Sequence, residues 1–334
     1  MLIRAKIYVM KVKELLEYGR NNLIKEDSYK LSKILLKHLL NVTDSYLIIN
    51  NEEQLNFETE EKFKKAIKLL NEGMPLQYIT NKQEFMKLNF YVDSNVLIPQ
   101  PDTEILVEEV LNILGKNSEN KNVLDLCTGS GAIGTSIAKY SDNIVTMTDI
   151  SKNALEIAKK NAKNNEVSEK CKFILSDMFE NIEEKFDLIV SNPPYIKSDV
   201  INTLDKEVQN EPTIALDGGI DGLDFYKVIA ENAHKYLNEN GILALEIGYD
   251  QKEDVIALLN STGHYKNIYS KKDLSGNDRV IICMCAFACK STVNNEDFCS
   301  IATKINWNYS LFTINYSLVI CEPLGSQITV LISN

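Results

Sequence analysis

The sequence predicts an α/β protein: a mostly parallel sheet covered by helices on both faces, preceded by a smaller all-helical domain. Three observations lead to it. From about Val12 to Leu70 apolar residues recur at helical steps, among them Leu15, Leu16, Leu31, Ile34, Leu35, Leu39, Phe63, Ile67 and Leu70. After Thr103 short apolar runs alternate with amphipathic stretches, the rhythm of strands crossing over through helices. Between the two, Gly73-Met74-Pro75 breaks the helical period, and "QYITNKQEFMKLNFYVDSNVLI" alternates apolar and polar residues around turn formers, as a hairpin would. A chain of 334 residues, 44% of them hydrophobic, suffices for one full core and a second, smaller one. The expected division is a helical domain at 1–74, a β-hairpin linker at 75–98, the sheet domain at 99–284 and a tail at 285–334.

In order, a helix with an acidic first turn runs from Thr103 to Leu114. Strands follow at 122–127, 144–149, 171–175, 186–191, 241–247 and 278–284, with a weaker one at 264–269. Helices at about 131–140, 151–165, 222–238 and 250–261 connect them. Ligands on such a sheet bind outside the carboxyl ends of the strands, where the strand order switches. The tail breaks this rhythm, with almost no lysine or arginine, the only tryptophan (Trp307), and strand-like runs such as "YSLVICEPL" that have no evident partner.

Charge narrows the function. A net charge of −11 argues against gripping long nucleic acid through its phosphates, which needs a concentrated basic surface. A protein or small-molecule partner fits better. No stretch approaches the roughly 18–20 uninterrupted apolar residues of a membrane span, and the first residues scatter charges through a very short apolar run. A cytoplasmic location is expected. Of seven cysteines, Cys283, Cys285, Cys289, Cys299 and Cys321 crowd the end of the chain, without paired C-x2-C spacing or a nearby histidine. Reduced structural thiols, and no metal site, are expected.

Two motifs carry the chemistry. "VLDLCTGSGAIG" places Gly129, Gly131 and Gly134 between a strand and a helix, the G-x-G-x-x-G pattern that lets backbone pass close to a nucleotide. Asp149 ends the next strand, where a carboxylate can accept both hydroxyls of an adenosine ribose. The plainer alternative is that the glycines only allow close helix packing and Asp149 caps the helix at Ser151. No lysine follows Gly134, which disfavours a nucleoside triphosphate loop and leaves a dinucleotide or S-adenosylmethionine. In "ILSDMFE", Asp177 and Met178 stand where adenine could be hydrogen-bonded by the carboxylate and packed by the thioether.

The second motif, "DLIVSNPPYIKSD", is a buried strand that ends in Asn192, Pro193, Pro194 and Tyr195. Two prolines cannot continue a ladder, so the strand stops there in a stiff lip. The Asn192 side-chain oxygen and the Pro193 carbonyl can converge on both hydrogens of an amide or amine NH2, and Tyr195 can pack against a flat target group. Such a nitrogen is a poor nucleophile, so positioning and acceptors that strengthen as positive charge builds are what a protein can add.

With those residues in view, the chain resembles the release factor glutamine methyltransferase family over about residues 10–284. The shared segments are the Asn192–Tyr195 tetrad, "GMPLQYI" with "EF" at 84–85, "VLIPQPDTEILVE" at 96–108, "DLCTGSGAIG" at 125–134, "EPTIALDGGIDGLDFY" at 211–226 and "DLSGNDRVII" at 273–282. The resemblance implies a Rossmann-like, seven-stranded class I methyltransferase sheet that uses S-adenosyl-L-methionine. It implies methylation of the glutamine amide nitrogen in the Gly-Gly-Gln motif of bacterial class-1 peptide release factors, with the helical domain as docking face. Carried over by motif, the cofactor site would comprise Cys127, Thr128, Gly129, Ser130, Gly131, Asp149, Asp177, Met178 and Asn192, while Asn192 to Tyr195 would hold the glutamine. Glu211 and Asp217 to Gly219 would form a structured loop beside it. Cys127 stands where the family has a glycine, Gln100 where it has an arginine, and Met178 where some members have an aromatic ring. Two other functions remain open: adenine N6-methylation through the same lip on a flipped base, and dinucleotide oxidoreduction. The first predicts a basic recognition segment, and the second leaves the lip without a role.

Overall fold

A computed structural model describes residues 9–115 and 121–286, together with residues 313–314, 317–318, 323–324 and 327–328, which form two minimal antiparallel pairings. Cys289, Cys299, Cys321 and Trp307 lie outside the described residues.

Helices α1 (Val12–Asn22), α2 (Ser28–Leu40), α3 (Asp44–Ile49) and α4 (Phe57–Asn71) enclose a core of their own, centred on Leu15, Leu35, Leu36, Phe63 and Leu70. Thr43 and Asn56 start α3 and α4 by accepting the amides of Tyr46 and Thr59, and Asn41 ends α2 in a left-handed conformation. The linker departs from expectation at its start. "LQYIT" is a short helix, α5 (Leu76–Thr80), stopped by left-handed Asn81. The hairpin is confined to β1 (Gln83–Phe85) and β2 (Leu88–Phe90), because Met86 and Lys87 both adopt positive φ in a tight two-residue turn. Phe85 and Phe90 meet edge to face and anchor it in the sheet domain's core.

The sheet is built from β3 (Asn122–Leu126), β4 (Ile144–Asp149), β5 (Cys171–Leu175), β6 (Phe186–Ser191), β7 (Leu237–Glu246), β8 (Tyr265–Lys272) and β9 (Asp278–Cys285), in the order β5-β4-β3-β6-β7-β9-β8. The first five are parallel, whereas β9 lies antiparallel between β7 and β8. Helices α6 (Thr103–Gly115), α7 (Ala132–Tyr140) and α8 (Lys152–Asn164) cover one face. On the other lie α10 (Asp224–Tyr236) and α11 (Lys252–Ser261), while α9 (Lys206–Gln209) belongs to the loop after β6. Strand β7 starts at Leu237 rather than Gly241. "NEN" has the composition of a loop, but pairing of Leu237 with Phe186 extends the strand through a register shift. The chain leaves β3 for β4 and β5, then returns to β6 on the other flank. The crevice at this switch faces the carboxyl ends of β3, β4 and β6.

Candidate active site

The glycine loop runs from Cys127 to Gly131, between β3 and α7. Buried Asp125 ties its ends together: Oδ2 accepts Thr128 Oγ1 at 2.5 Å and the Gly134 amide at 2.9 Å. Burial pushes the Asp125 carboxyl up to about 7, and its Oδ1 has no partner. At the end of β4, Asp149 accepts the Gly129 amide on Oδ2 and the Ser151 amide on Oδ1, each at 2.8 Å. Burial raises its pKa, and these amides oppose the rise. The cap of α8 is Ser151, which accepts the Ala154 amide at 3.2 Å, so Asp149 does not serve as that cap.

A cavity of about 400 Å³ opens over the switch point. Cys127, Thr128, Gly129, Ser130, Asp149, Asp177, Met178, Asn192 and Pro194 line it, joined by Val96, Leu97, Pro99, Gln100 and Thr103 from the linker side and by Ile214, Ala215 and Phe225 opposite. Three expected site residues are not in its wall. Gly131, at φ +77°, lies against α8, where a Cβ would stand 2.9 Å from that of Ala158. Pro193 is buried. The Tyr195 ring packs on the α10–α11 side of the core and its hydroxyl faces the Arg279 guanidinium, so Pro194 and Ile214 line the wall where a stacking ring was expected.

The lip is held from behind and from outside. Asn192 Nδ2 donates to Thr103 Oγ1 at 3.3 Å, and both groups stand beside the Glu246 carboxyl at the end of β7 and favour its ionised form. Glu246 is 2% exposed, burial pushes it up to about 7, and its Oε2 has no partner. Arg279 of β9 stands nearby, paired with Asp102 and Asp273 at 3.2 and 3.1 Å. On the outside, Ile196 N donates to Leu216 O at 2.9 Å, Gly218 N to Ile196 O at 2.8 Å, and Gln251 Nε2 to Tyr195 O at 3.0 Å. Glu211 accepts the Ile98 amide at 2.8 Å, joining this loop to the linker, and burial raises it to about 7. Sequence reasoning missed Glu246, although a charged residue inside the apolar run "ILALEI" is a signal of a partnered or functional group. Asn161 left no such signal among the polar residues of α8. Fully buried, it bonds Tyr91 N, Tyr91 O and Ser130 O, joining linker, helix and glycine loop.

The residues present fit S-adenosylmethionine. Gly129 lines the cavity with φ +53° and nothing within 4 Å of where a Cβ would sit, which leaves room for a ligand against the backbone. Each Asp149 oxygen accepts a backbone amide, from Gly129 or Ser151, and has capacity left for a ribose hydroxyl. Among the described residues no lysine or arginine lines the cavity, which suits a sulfonium beside Asp149 and Asp177 better than a pyrophosphate.

Comparison with known proteins agrees. A family model described as "Methyltransferase small domain" matches residues 101–272, and one described as "PrmC N-terminal domain" matches 14–80. The chain is 41% identical over 285 residues to the release factor glutamine methyltransferase of Clostridium acetobutylicum, covering 84% of this chain and 98% of that one. The Clostridium botulinum protein of that name is 42% identical over 280 residues (81% and 98%), and the Aquifex aeolicus one 36% over 279 (83% and 96%). The chain belongs to the release factor glutamine methyltransferase family and is an S-adenosylmethionine-dependent methyltransferase.

Proposed function

We propose that the chain methylates the side-chain amide nitrogen (N5) of the glutamine in the Gly-Gly-Gln motif of bacterial class-1 peptide chain release factors. The observation that carries this reading is Asn192, whose amide donates to Thr103 behind it, beside Glu246, at the wall of the cofactor cavity. That arrangement leaves Oδ1 as an acceptor for an incoming NH2. The names of the relatives supply the protein partner. S-adenosylmethionine, when bound, supplies a sulfonium methyl whose bonding pair stays with sulfur as the carbon moves to nitrogen.

The chain supplies position and charge. Asp149 would receive the ribose hydroxyls, Asp177 and Met178 would hold the adenine, and the backbone of Cys127 to Ser130 would pass alongside. Asn192 Oδ1, at the cavity wall, takes one hydrogen of the target NH2 and aims its nitrogen at the methyl, and the carbonyl of the buried Pro193 next to it is the second acceptor. The amide lone pair is delocalised, so the barrier falls where these acceptors strengthen as positive charge appears on nitrogen. The extra proton then leaves to water. Tyr195 supports the lip from the core side instead of stacking on the target.

Residues 1–74 act as docking domain, 75–98 as linker, 99–284 as catalytic domain and 285–334 as an appendage. Support for a fixed docking geometry comes from the Lys25–Glu207 ion pair and from Asn210 Nδ2, which donates to Gly73 O at 3.1 Å, linking the helical domain to the loop after β6. Mass spectrometry of a purified bacterial release factor, incubated with this protein and S-adenosylmethionine, should show one added methyl on the Gly-Gly-Gln glutamine. Asn192→Ala should abolish it. No methyl gain from a protein that binds the cofactor would overturn the substrate and point to adenine instead.

A further inference from the structure

The Asn192 amide has two edges, one accepting and one donating, and only the accepting edge can hold an NH2. What decides which edge faces the cavity lies behind it. The Thr103 hydroxyl has one hydrogen and can both donate to Glu246 and accept from Asn192, so it does not choose an orientation by itself. A carboxylate is different, because it has no hydrogen to give. We propose that Glu246 is a positioning residue for methyl transfer: its buried carboxylate accepts the Asn192 NH2 and thereby keeps the Asn192 oxygen turned to the cavity. This rests on the reading of Asn192 as the group that holds the target nitrogen.

The surroundings suit such a device. Glu246 ends β7, and the groups facing it come from every element packed there: Thr103 at the start of α6 with Asp102 just before it, Asn192 after β6, the Tyr195 hydroxyl, and Arg279 on β9. From α10, the Tyr226 hydroxyl donates to the Glu246 backbone carbonyl at 2.9 Å and fixes the strand end. Arg279 does not neutralise the carboxylate outright, since its Nη2 is paired with Asp102 and Asp273. Glu246 therefore retains a proton to higher pH than an exposed glutamate, with burial as the cause. Once protonated, it can donate to Asn192 Oδ1, and the amide is free to turn its NH2 toward the cavity. A donor there repels the target NH2. Ionised Glu246 also polarises the Asn192 amide and makes Oδ1 a stronger acceptor.

The first test needs no substrate. In the full-length protein, the Asn192 side-chain 15N–1H resonances, assigned by their loss in Asn192→Ala, are followed from about pH 5.5 to about pH 8.5. They should titrate with a midpoint near 7 and stay flat in Glu246→Gln. A flat Asn192 amide in the parent protein, or the same titration in the variant, overturns the proposal; the parent alone decides if the variant fails to fold. The second test is the rate of release-factor methylation, which should rise through about pH 7 and level off. Glu246→Gln should lose that rise and about a hundredfold in kcat, with cofactor Kd unchanged. Glu246→Asp, which keeps the charge, should recover part of the rate and all of the pH dependence. A Glu246→Gln protein with parental rate and profile overturns the proposal. Titration of Asn192 in a protein that methylates no release factor overturns the proposed substrate and leaves the role of Glu246 supported.

Discussion

Cys127 carries φ +61°, in the left-handed region that favours glycine, and it does so at the floor of the cofactor cavity. An L-residue there costs about 1–2 kcal/mol, offset in part by burial of a thiol that lies 3.8 Å from Met178 Sδ. Burial raises the thiol pKa, so it packs as a neutral SH group. Gly129 and Gly131 share the positive φ but not its consequence. Gly129→Ala places a methyl in open cavity, so we expect cofactor affinity to fall about tenfold with a stability loss of about 1 kcal/mol. Gly131→Ala drives a methyl into the backbone of α8 and should lose about 2–4 kcal/mol of stability by urea unfolding. Calorimetric titration beside the unfolding curves separates the two. The motif spacing made both glycines legible in sequence as one loop. Their separate tasks were not, because spacing is silent about which side of the backbone faces α8.

At the scale of elements, the segment "ALDGG" braces the chain at the lip through backbone groups, joined by Ser198 Oγ, which donates to Asp217 Oδ1 at 2.6 Å. Gly218 is the point of closest approach, since a Cβ there would stand 2.7 Å from Tyr195 Cα. Gly218→Ala should therefore displace the tetrad, with methyl transfer falling about a hundredfold while S-adenosylmethionine binding is kept. Equal loss of both would place the brace under the cofactor instead. Most strands and helices were readable from period and from turn formers, and the glycine loop, Asp149 and the lip stood out because their residue types are unusual at strand ends. The exceptions have one cause. α5 and the start of β7 take their form from neighbours distant in sequence, the helical-domain core, against which Leu76 and Ile79 pack, and Phe186, and composition carries no trace of either. Asn161 is of the same kind, whereas Glu246 did leave a trace, as the one charge in "ILALEI".

Three buried carboxyls, Asp125, Glu211 and Glu246, give the whole molecule a shared pH response. Each is raised by burial to about 7, so the folded chain retains protons that the unfolded chain has released above its lower carboxyl pKa. Their stabilising contribution is full below the unfolded carboxyl range and is lost as pH rises through about 7. The urea midpoint should accordingly be higher at about pH 6.5 than at about pH 8. His234, whose pKa is lowered by burial, works the other way only as pH falls below its ordinary value. Methylation should move opposite to stability across this window, because Glu246 must be ionised to hold Asn192. A midpoint that is flat or rises toward pH 8 would count against these three burials. Among the described residues no helix is long and apolar enough to cross a membrane.

The place of β9 has a consequence for how the protein is made. It is the last strand of the sheet to leave the ribosome, yet it fills an interior slot between β7 and β8 and brings Arg279 to the reaction site. Until residues 278–285 emerge, a nascent chain holds β7 as a raw edge and β8 with nothing to pair. Translation thus completes the sheet and the site in one late event, and a chain interrupted before that strand would be both inactive and prone to edge-to-edge association.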